Sequence, residues 1–269
     1  MTVKTFSINP EKTAFVKAYL PDAIGDIKYC EKRPSIVIFP GGAYEYCSDR
    51  EGEPIALQYL AAGYAAFVVT YSCNKPFPTP LNDAAYTFYK IRLRAEEFCI
   101  DPGKIAVLGC SAGGHLAGCL ATMWNDISLV KTIGCSAEEL RPNAAVLCYP
   151  VISGVTAPHE GSFKVLLGEE PSRSDLSRLS LENRVTPKTP PIFIWATAND
   201  NSVSAHNSLV MAKACISNKI PMEIHLFDDG PHGISTCDKS TGYNDYYYQP
   251  HVRQWIPLSI EFLNKYMNV

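Results

Sequence analysis

The stretch that decides the fold reads Lys104-Ile-Ala-Val-Leu-Gly-Cys-Ser-Ala-Gly-Gly-His-Leu-Ala117. Its apolar start, residues 105–108, predicts a buried strand, and residues 112–124, rich in Ala and Leu, predict a helix. Between them, Gly109-Cys-Ser-Ala-Gly113 matches G-x-S-x-G, a motif that has chemical meaning in this strand–turn–helix setting. A turn this sharp strains its middle residue, and a β-carbon at either glycine would collide with the neighbouring strand or helix. Ser111 is therefore a candidate nucleophile, lifted clear of the sheet.

The same turn leaves the backbone amide of Ala112 free to donate to a developing anion. A bare G-x-S-x-G pentapeptide also arises by chance in loops, so Ser111 needs support from the rest of the chain. A serine hydroxyl is a poor nucleophile at neutral pH and needs a base that is held in turn by a carboxylate. We therefore look past later strands for an acid and then a histidine.

The composition is that of an ordinary globular chain of 269 residues, with 46% hydrophobic and 19% charged residues and a formal net charge of −3. This length predicts a single domain over residues 1–269 with a well-buried core. The absence of a basic block or stripe argues against nucleic acid. We see no signal peptide in residues 1–20 and no membrane-spanning stretch, so we expect a cytoplasmic protein without a membrane partner. The oligomeric state is open, and a homo-oligomer is allowed.

The ten cysteines include several inside predicted strands and helices, among them Cys110, Cys119, Cys148 and Cys215. They form no C-x-x-C pair and have no zinc-finger spacing. We therefore expect free, buried thiols in a reducing compartment. We expect neither a metal site nor a cofactor.

Apolar runs and helical patterns alternate along the chain. Strands are predicted at 13–20, 34–40, 64–71, 143–149, 191–198 and 222–227, and helices at 53–62, 81–98, 205–218 and 252–266. A turn is expected at 101–103. This alternation predicts an α/β fold with a doubly wound, mostly parallel sheet and helices on both faces. Only residues 151–190 break the alternation, and we interpret them as a short cap-like insertion above the strand ends.

Asp200 is the best candidate for the acid, since it lies in the loop between a predicted strand and the next helix. An Asp in that place is often only a helix N-cap. Asn199, Asn201 or Ser202 could cap the helix equally well, which leaves Asp200 free for another role. Asp228 and Asp229 are reserve candidates.

His232 is the best candidate for the base. It follows the last predicted strand, in the Gly- and Pro-containing loop Phe227-Asp-Asp-Gly-Pro-His-Gly233. A surface histidine in a turn is the ordinary alternative. The other five histidines lack this position after a strand and downstream of the acid: His115, His159, His206, His225 and His251.

An acyl-transfer site also needs donors for the oxyanion, normally the amide next to the nucleophile and amides of a glycine-rich loop. Gly41-Gly-Ala43 directly follows an interior strand upstream of the serine, which is the place expected for such a loop. A Gly-Gly pair by itself usually marks only a turn.

Together these segments resemble the α/β-hydrolase fold, and more narrowly the esterases similar to acetylxylan esterase and hormone-sensitive lipase. The resemblance covers about Ser35 to Leu263. It rests on Phe39-Pro-Gly-Gly-Ala-Tyr44, Arg50-Glu51 followed by Ile55-Ala56, Asp101-Pro-Gly-Lys-Ile105, Gly109 to Ala117, Asp200-Asn-Ser-Val203 and Gly230-Pro-His-Gly233. It implies Ser111 as nucleophile, Asp200 as acid and His232 as base. It also implies Gly42, Ala43 and Ala112 as oxyanion donors.

Two departures from the lipase-like pattern narrow the expected activity. Pro40 and Ala43 replace the first and last residues of His-Gly-Gly-Gly, as in carbohydrate-esterase-like relatives with Pro-Gly-Gly. The short insertion also argues against a bulky lipid substrate. We therefore expect a serine carboxylesterase acting on short acyl esters, chiefly acetyl groups on sugars, xylo-oligosaccharides or small alcohols. An aminopeptidase or amidase on the same scaffold, and a catalytically silent binding module, are the alternatives.

The small-molecule ester is the expected partner, and aromatic residues are the candidates for holding its alcohol part. Tyr44 is the predicted substrate contact, with Tyr46, Trp195 and the segment 243–248 as further candidates. Aromatic residues beside strands more often belong to the core, which is the alternative for all of them.

Overall fold

A computed structural model of the protein describes residues 1–9, 13–22 and 32–269, and its centre is one eight-stranded sheet. The strands are β1 (Thr2–Ser7), β2 (Phe15–Leu20), β3 (Arg33–Phe39), β4 (Ala65–Thr70), β5 (Ile100–Cys110), β6 (Ala145–Cys148), β7 (Ile192–Thr197) and β8 (Met222–Phe227). Their order across the sheet is β1-β2-β4-β3-β5-β6-β7-β8. The pairs from β4 to β8 are parallel, whereas β1 pairs with β2, and β2 with β4, antiparallel.

Helices cover both faces of this sheet. They are α1 (Glu53–Ala61), α2 (Thr79–Leu93), α3 (Ala112–Met123), α4 (Ile127–Ile133), α5 (Ala137–Leu140), α6 (Glu160–Leu167), α7 (Arg173–Leu179), α8 (His206–Ser217) and α9 (Trp255–Met267). Successive strand residues point to opposite faces. In β3, Val37 therefore packs into the core that contains residues of α2, α3 and α8, while Ile36 packs into the core with α1 and α9. The doubly wound α/β fold expected from the sequence is confirmed.

The central strands are apolar throughout because both of their faces are covered. All six residues of β7 are buried, which matches the continuous apolar run of a strand in a parallel sheet. The edge strand β1 is almost wholly exposed. The carboxyl ends of the parallel strands lie at one edge of the sheet, where the candidate site residues follow β3, β5, β7 and β8.

Most predicted boundaries agree with the structure to within a few residues, and the differences have local causes. β5 begins at Ile100 and contains the turn expected at 101–103, where the amide of Gly103 donates to Asp101 Oδ1 at 2.8 Å. Ile100 pairs with Arg33 of β3, and the register shifts before Ile105 pairs with Ser35. The local turn of Asp-Pro-Gly is thus kept as an irregularity within β5, between the two positions that pair with β3. The helix expected at 81–98 is α2, which ends at Leu93.

The segment 151–190 contains α6, α7 and a 3₁₀ turn at Leu181–Asn183. Asn207 of α8 holds its start, because Oδ1 accepts hydrogen bonds of 2.9 Å from the backbone amides of both Ile152 and Ser153. The backbone amide of Leu181 donates a hydrogen bond of 3.0 Å to the carbonyl of Ile152. The segment therefore closes on itself beside the end of β6.

The nine described cysteines are all free thiols, and five of them are buried. Cys30 lies outside the described residues. Across the described ranges, no helix combines the length and the apolar character that a bilayer crossing requires.

Candidate active site

Ser111 lies at a sharp turn between β5 and α3, with φ 53° and ψ −120°. Such a left-handed backbone costs a non-glycine residue roughly 1–3 kcal/mol, so its surroundings must fix it. The Ser111 amide donates to the Cys148 carbonyl at 2.9 Å, and the Ser111 carbonyl accepts from the amides of His115 and Val151, both at 3.1 Å. The serine backbone is thus held from the end of β6 as well as from its own helix.

The two glycines of the motif are required by close backbone contacts. A β-carbon on Gly109 would lie 2.0 Å from the Gly113 carbonyl oxygen. A β-carbon on Gly113 would lie 2.1 Å from the Phe39 oxygen and 2.4 Å from the Pro40 oxygen. The helix α3 therefore starts directly against the end of β3, which brings the loop after β3 beside Ser111.

His232 lies between the serine and the acid. Its Nε2 is 2.8 Å from Ser111 Oγ, and its Nδ1 is 2.7 Å from Asp200 Oδ2. An ionised carboxylate can only accept, so Nδ1 carries the proton and donates to Asp200. Nε2 is then the acceptor for the Ser111 hydroxyl. The structure thus brings together the three side chains named as catalytic candidates, from loops after β5, β7 and β8.

The carboxylate of Asp200 is fully buried, but three donors satisfy it. Besides His232, the backbone amides of Ser202 and Val203 donate to Oδ1 at 2.8 and 2.9 Å. This turn holds the carboxylate at the end of β7, before α8 begins. Asp228 and Asp229 are exposed and make no contact with His232 among the described hydrogen bonds.

The other histidines have different roles. His115 is buried in α3, where Nδ1 lies 2.7 Å from the Tyr44 hydroxyl and Nε2 lies 2.9 Å from the Leu179 carbonyl. Burial lowers the pKa of His115 to about 4, so it is neutral at pH 7. His206 bonds to Ser204, His225 bonds to Glu223, and His251 packs against Phe227. His159 is the exception, since it lines the same cavity as Ser111.

The loop after β3 approaches the serine in a conformation that few residues adopt. Gly42 has φ 124°, and a β-carbon there would lie 2.2 Å from the Tyr46 carbonyl oxygen. Ala43 follows with φ 55°. Within the described residues the amides of Gly42, Ala43 and Ala112 donate to no protein acceptor, and Gly42 and Ala43 line the cavity with Ser111. These amides are thus available to a ligand.

Glu51 is a buried carboxylate to which the sequence analysis gave no role. Its Oε2 accepts from the amide of Gly41 at 2.8 Å, and its Oε1 accepts from the hydroxyl of Tyr149 at 2.7 Å. Burial raises the pKa of Tyr149 well above its usual value, so the hydroxyl stays protonated and donates. The ring of Tyr149 packs edge-on against His232, with centroids 5.1 Å apart. Glu51 thus connects the loop after β3 to Tyr149, which packs against the candidate base.

Asn199 connects the loops of the acid and the base. Its Oδ1 accepts from the amide of Gly230 at 3.0 Å, and its Nδ2 donates to Asp229 and, at 3.1 Å, to the Tyr246 hydroxyl. From the sequence alone, Asn199 is only a possible helix cap. Its position directly before Asp200 was the available signal.

A cavity of about 420 Å³ opens above Ser111 and His232. Its lining is largely polar or aromatic: Tyr46, Ser48, Arg50, Glu51, His159, Asn199, Asn201, Ser202, Tyr243, Tyr246 and Tyr247, with Gly42, Ala43, Pro231 and Gly233. Arg50 stacks on the Tyr243 ring at 3.9 Å and donates to the Gly233 carbonyl at 2.8 Å. No group of three or more His, Cys, Asp or Glu side chains suited to a metal ion occurs in the part of the chain that the structure describes.

The predicted substrate contact at Tyr44 is corrected by this geometry. The Tyr44 side chain is 1% exposed and points to His115 in the core rather than into the cavity. Consecutive left-handed residues, Ala43 and Tyr44, reverse the chain there, so Tyr46 lines the cavity instead. Trp195 is likewise buried, stacked on Trp255 at 5.2 Å. Of the tyrosine-rich segment, Tyr243, Tyr246 and Tyr247 line the cavity.

Comparisons with known proteins agree with this fold. The chain is 35% identical over 214 residues to endo-1,4-beta-xylanase B of Butyrivibrio fibrisolvens, covering 77% of this chain and 33% of that protein. It is 29% identical over 245 residues to the acetylxylan esterase of Xylanibacter ruminicola, covering 87% and 46%. It thus spans a third to a half of the length of these two relatives.

Among solved structures, an acetyl ester-xyloside bifunctional hydrolase from Caldicellulosiruptor lactoaceticus superposes with a TM-score of 0.83. The two sequences are 33% identical, and the match covers 97% of this chain and 96% of that one. The BD-FAE family model matches residues 19–215, which is most of the chain. The chain therefore has the α/β-hydrolase fold and belongs to the BD-FAE family.

Proposed function

We propose that the protein is a serine carboxylic ester hydrolase that removes acetyl groups from sugars or other small polar alcohols. The observation that carries this proposal is the contact of His232 with both Ser111 and Asp200, at 2.8 and 2.7 Å. The names of the relatives, an acetylxylan esterase and an acetyl ester-xyloside hydrolase, agree with ester chemistry on xylose-containing compounds.

In the proposed reaction, Ser111 Oγ attacks the ester carbonyl while His232 Nε2 takes its proton. Asp200 holds the Nδ1 proton of the ring and stabilises the imidazolium that forms. His232 then gives the proton to the departing alcohol, which leaves an acetyl group on Ser111. Water, activated by the same imidazole, attacks the acyl-enzyme and releases acetate.

The backbone amides of Gly42, Ala43 and Ala112 would stabilise the oxyanion. Removing one such donor typically costs about 3 kcal/mol of transition-state stabilisation. Ala112 lies at the start of α3, so the positive end of the helix dipole acts on the same oxygen. Ser111, Gly42 and Ala43 line the same cavity, which supports this assignment.

The lining of the cavity favours a small polar alcohol. It contains Arg50, Asn201, Ser202 and four tyrosines, which offer hydrogen bonds and aromatic faces, and no Leu, Ile, Val, Phe or Met among the described residues. A long acyl chain or a lipid alcohol would find little apolar surface there. A sugar presents several hydroxyl groups and an apolar ring face, which suits this lining.

The cavity gives less support to the alternatives. Glycoside hydrolysis requires two carboxylates flanking the bond, about 5–10 Å apart. The only Asp or Glu lining the described cavity is Glu51, and both of its oxygens are occupied by Gly41 and Tyr149. Because both oxygens of Glu51 already accept hydrogen bonds, the described cavity offers no carboxylate to bind the free amine of an aminopeptidase substrate.

Ser111→Ala provides the test of the proposal. The pure variant should lose at least about 10³-fold of the kcat for p-nitrophenyl acetate and should not react with a fluorophosphonate. Mass spectrometry of the wild type should place the phosphonyl group on Ser111. Unchanged hydrolysis by the variant, or labelling at another residue, would overturn the assignment. A set of acetylated xylo-oligosaccharides and aminoacyl anilides then separates esterase from amidase activity.

A further inference from the structure

His159 is a second histidine in the cavity above Ser111, contributed by the segment between β6 and β7. It is the N-cap of α6, with an extended backbone at φ −84° and ψ 93°. Its Nδ1 lies 3.3 Å from the backbone amide of Ser162 and 2.9 Å from the Ser162 hydroxyl. One nitrogen of the ring is therefore used by the helix start.

This cap defines the tautomer of the ring. A backbone amide can only donate, so Nδ1 must be unprotonated to accept from Ser162. The neutral ring then carries its proton on Nε2. Burial lowers the pKa of His159, and the neighbouring His232 lowers it further, so the neutral form is present at pH 7.

Nε2 is the polar atom left for a ligand. It forms no hydrogen bond with any described residue, and it is not among their buried unpaired polar atoms. The ring lines the same cavity as Ser111 and His232. A donor fixed in direction by a helix cap therefore stands beside the candidate catalytic residues, and the proposed reaction mechanism does not use it.

We propose that His159 is a specificity-determining residue whose Nε2–H donates to a hydroxyl or ring oxygen of the alcohol part of the ester. This inference rests on the proposed function. Since p-nitrophenol offers no hydroxyl or ring oxygen besides the ester itself, the donor acts on sugar esters and contributes little to simple activated esters. One good neutral hydrogen bond corresponds to about fivefold in affinity or rate.

His159→Asn is the informative variant, because Asn is a strong helix N-cap but its short side chain withdraws the donor from the cavity. The ratio of kcat/KM for monoacetylated xylose to kcat/KM for p-nitrophenyl acetate should fall about fivefold. The melting temperature of His159→Asn should lie within a degree or two of the wild-type value. That of His159→Ala, which lacks a capping side chain, should be lower. Ser172→Asn, at the N-cap of α7 and away from the cavity, is the matched control and should keep the ratio.

Binding of xylose alone, followed by NMR titration, separates this inference from the proposed hydrolysis. The dissociation constant for xylose should rise about fivefold in His159→Asn, even if neither ester were a substrate. An unchanged ratio together with an unchanged dissociation constant would overturn the inference. Absence of xylose binding to the wild type would overturn it as well. If the wild type hydrolysed neither ester, this would instead overturn the proposed function.

Discussion

The hydroxyl of Tyr149 donates a 2.7 Å hydrogen bond to Glu51, although the two residues are 98 positions apart. Through this contact, the loop that carries the candidate oxyanion amides and the residues beneath His232 form one buried network. The amide of Ser235, three residues after His232, donates to the same tyrosine oxygen at 3.2 Å. Tyr149 thus uses its only proton on Glu51 while its oxygen accepts from Ser235.

Glu51→Gln should disturb this network without removing bulk. Gln has one acceptor oxygen, so its amide group must face either the Gly41 N–H or the Tyr149 hydroxyl. We expect a loss of about 1–3 kcal/mol of unfolding free energy and about tenfold in kcat/KM for p-nitrophenyl acetate. Denaturant titration and steady-state kinetics measure both. Glu53→Gln, on an exposed side chain, should cost less than about 1 kcal/mol, and equal losses in the two variants would contradict this role.

Asp200→Asn should reduce kcat on the order of 10⁴-fold with little change in stability. Asn can still accept from the amides of Ser202 and Val203, but its NH₂ then faces His232 Nδ1. The ring would switch its proton to Nε2 and could no longer take one from Ser111. Rapid-quench or steady-state kinetics provide the measurement, with Asp228→Asn as the control that should keep its rate. A loss below tenfold would argue that another group holds the imidazole.

Gly113→Ala tests the close contact between α3 and the end of β3. The new methyl group would meet the Phe39 and Pro40 carbonyl oxygens, which belong to the backbone and cannot rotate away. We expect a loss of at least about 3 kcal/mol of unfolding free energy or failure to fold, measured by denaturant unfolding and soluble yield. Gly134→Asn is the control, since Gly134 has open space and a left-handed φ of 76° that Asn tolerates. Similar unfolding free energies for Gly113→Ala and Gly134→Asn would contradict the prediction.

The buried His115 should make stability depend on pH. Its pKa is about 4 in the folded protein and near 6.5 when unfolded, so the unfolded chain binds more protons between these values. The free energy of unfolding therefore receives its full contribution from neutral His115 above pH 6.5. This contribution is lost as the pH falls to 4. The loss amounts to about 3 kcal/mol. Unfolding free energies across this range should fall more steeply for the wild type than for His115→Gln, and parallel curves would contradict the prediction.

The parts of the molecule that the sequence could predict are those that depend on neighbours in the chain. The turn at Ser111 is recognisable because the strand, the two glycines and the small-residue helix are contiguous. His232 and Asp200 are recognisable because each follows a strand in a parallel sheet, where the strand ends meet. The alternation of strands and helices gave the doubly wound sheet for the same reason.

What the sequence could not predict depends on contacts between distant segments. Nothing near Glu51 indicates that its carboxylate is buried against Gly41 and Tyr149. Tyr44 was expected in the cavity as an aromatic candidate for the alcohol part of the substrate, but the left-handed backbone of Ala43 and Tyr44 turns its ring toward His115. The strand β5 includes the Asp-Pro-Gly turn because Ile100 before it and Ile105 after it both pair with β3. In each case the partner lies tens of residues away.

The rigid support of Ser111 has a practical consequence for crystallography. The serine backbone is bonded to Cys148, His115 and Val151, so an adduct on Oγ cannot be accommodated by retreat of the main chain. The adjustment must come from the rim, where Tyr46 and Tyr243 are 60% and 72% exposed. Crystals in which these two rings are free of lattice contacts should accept soaked inhibitors without loss of diffraction.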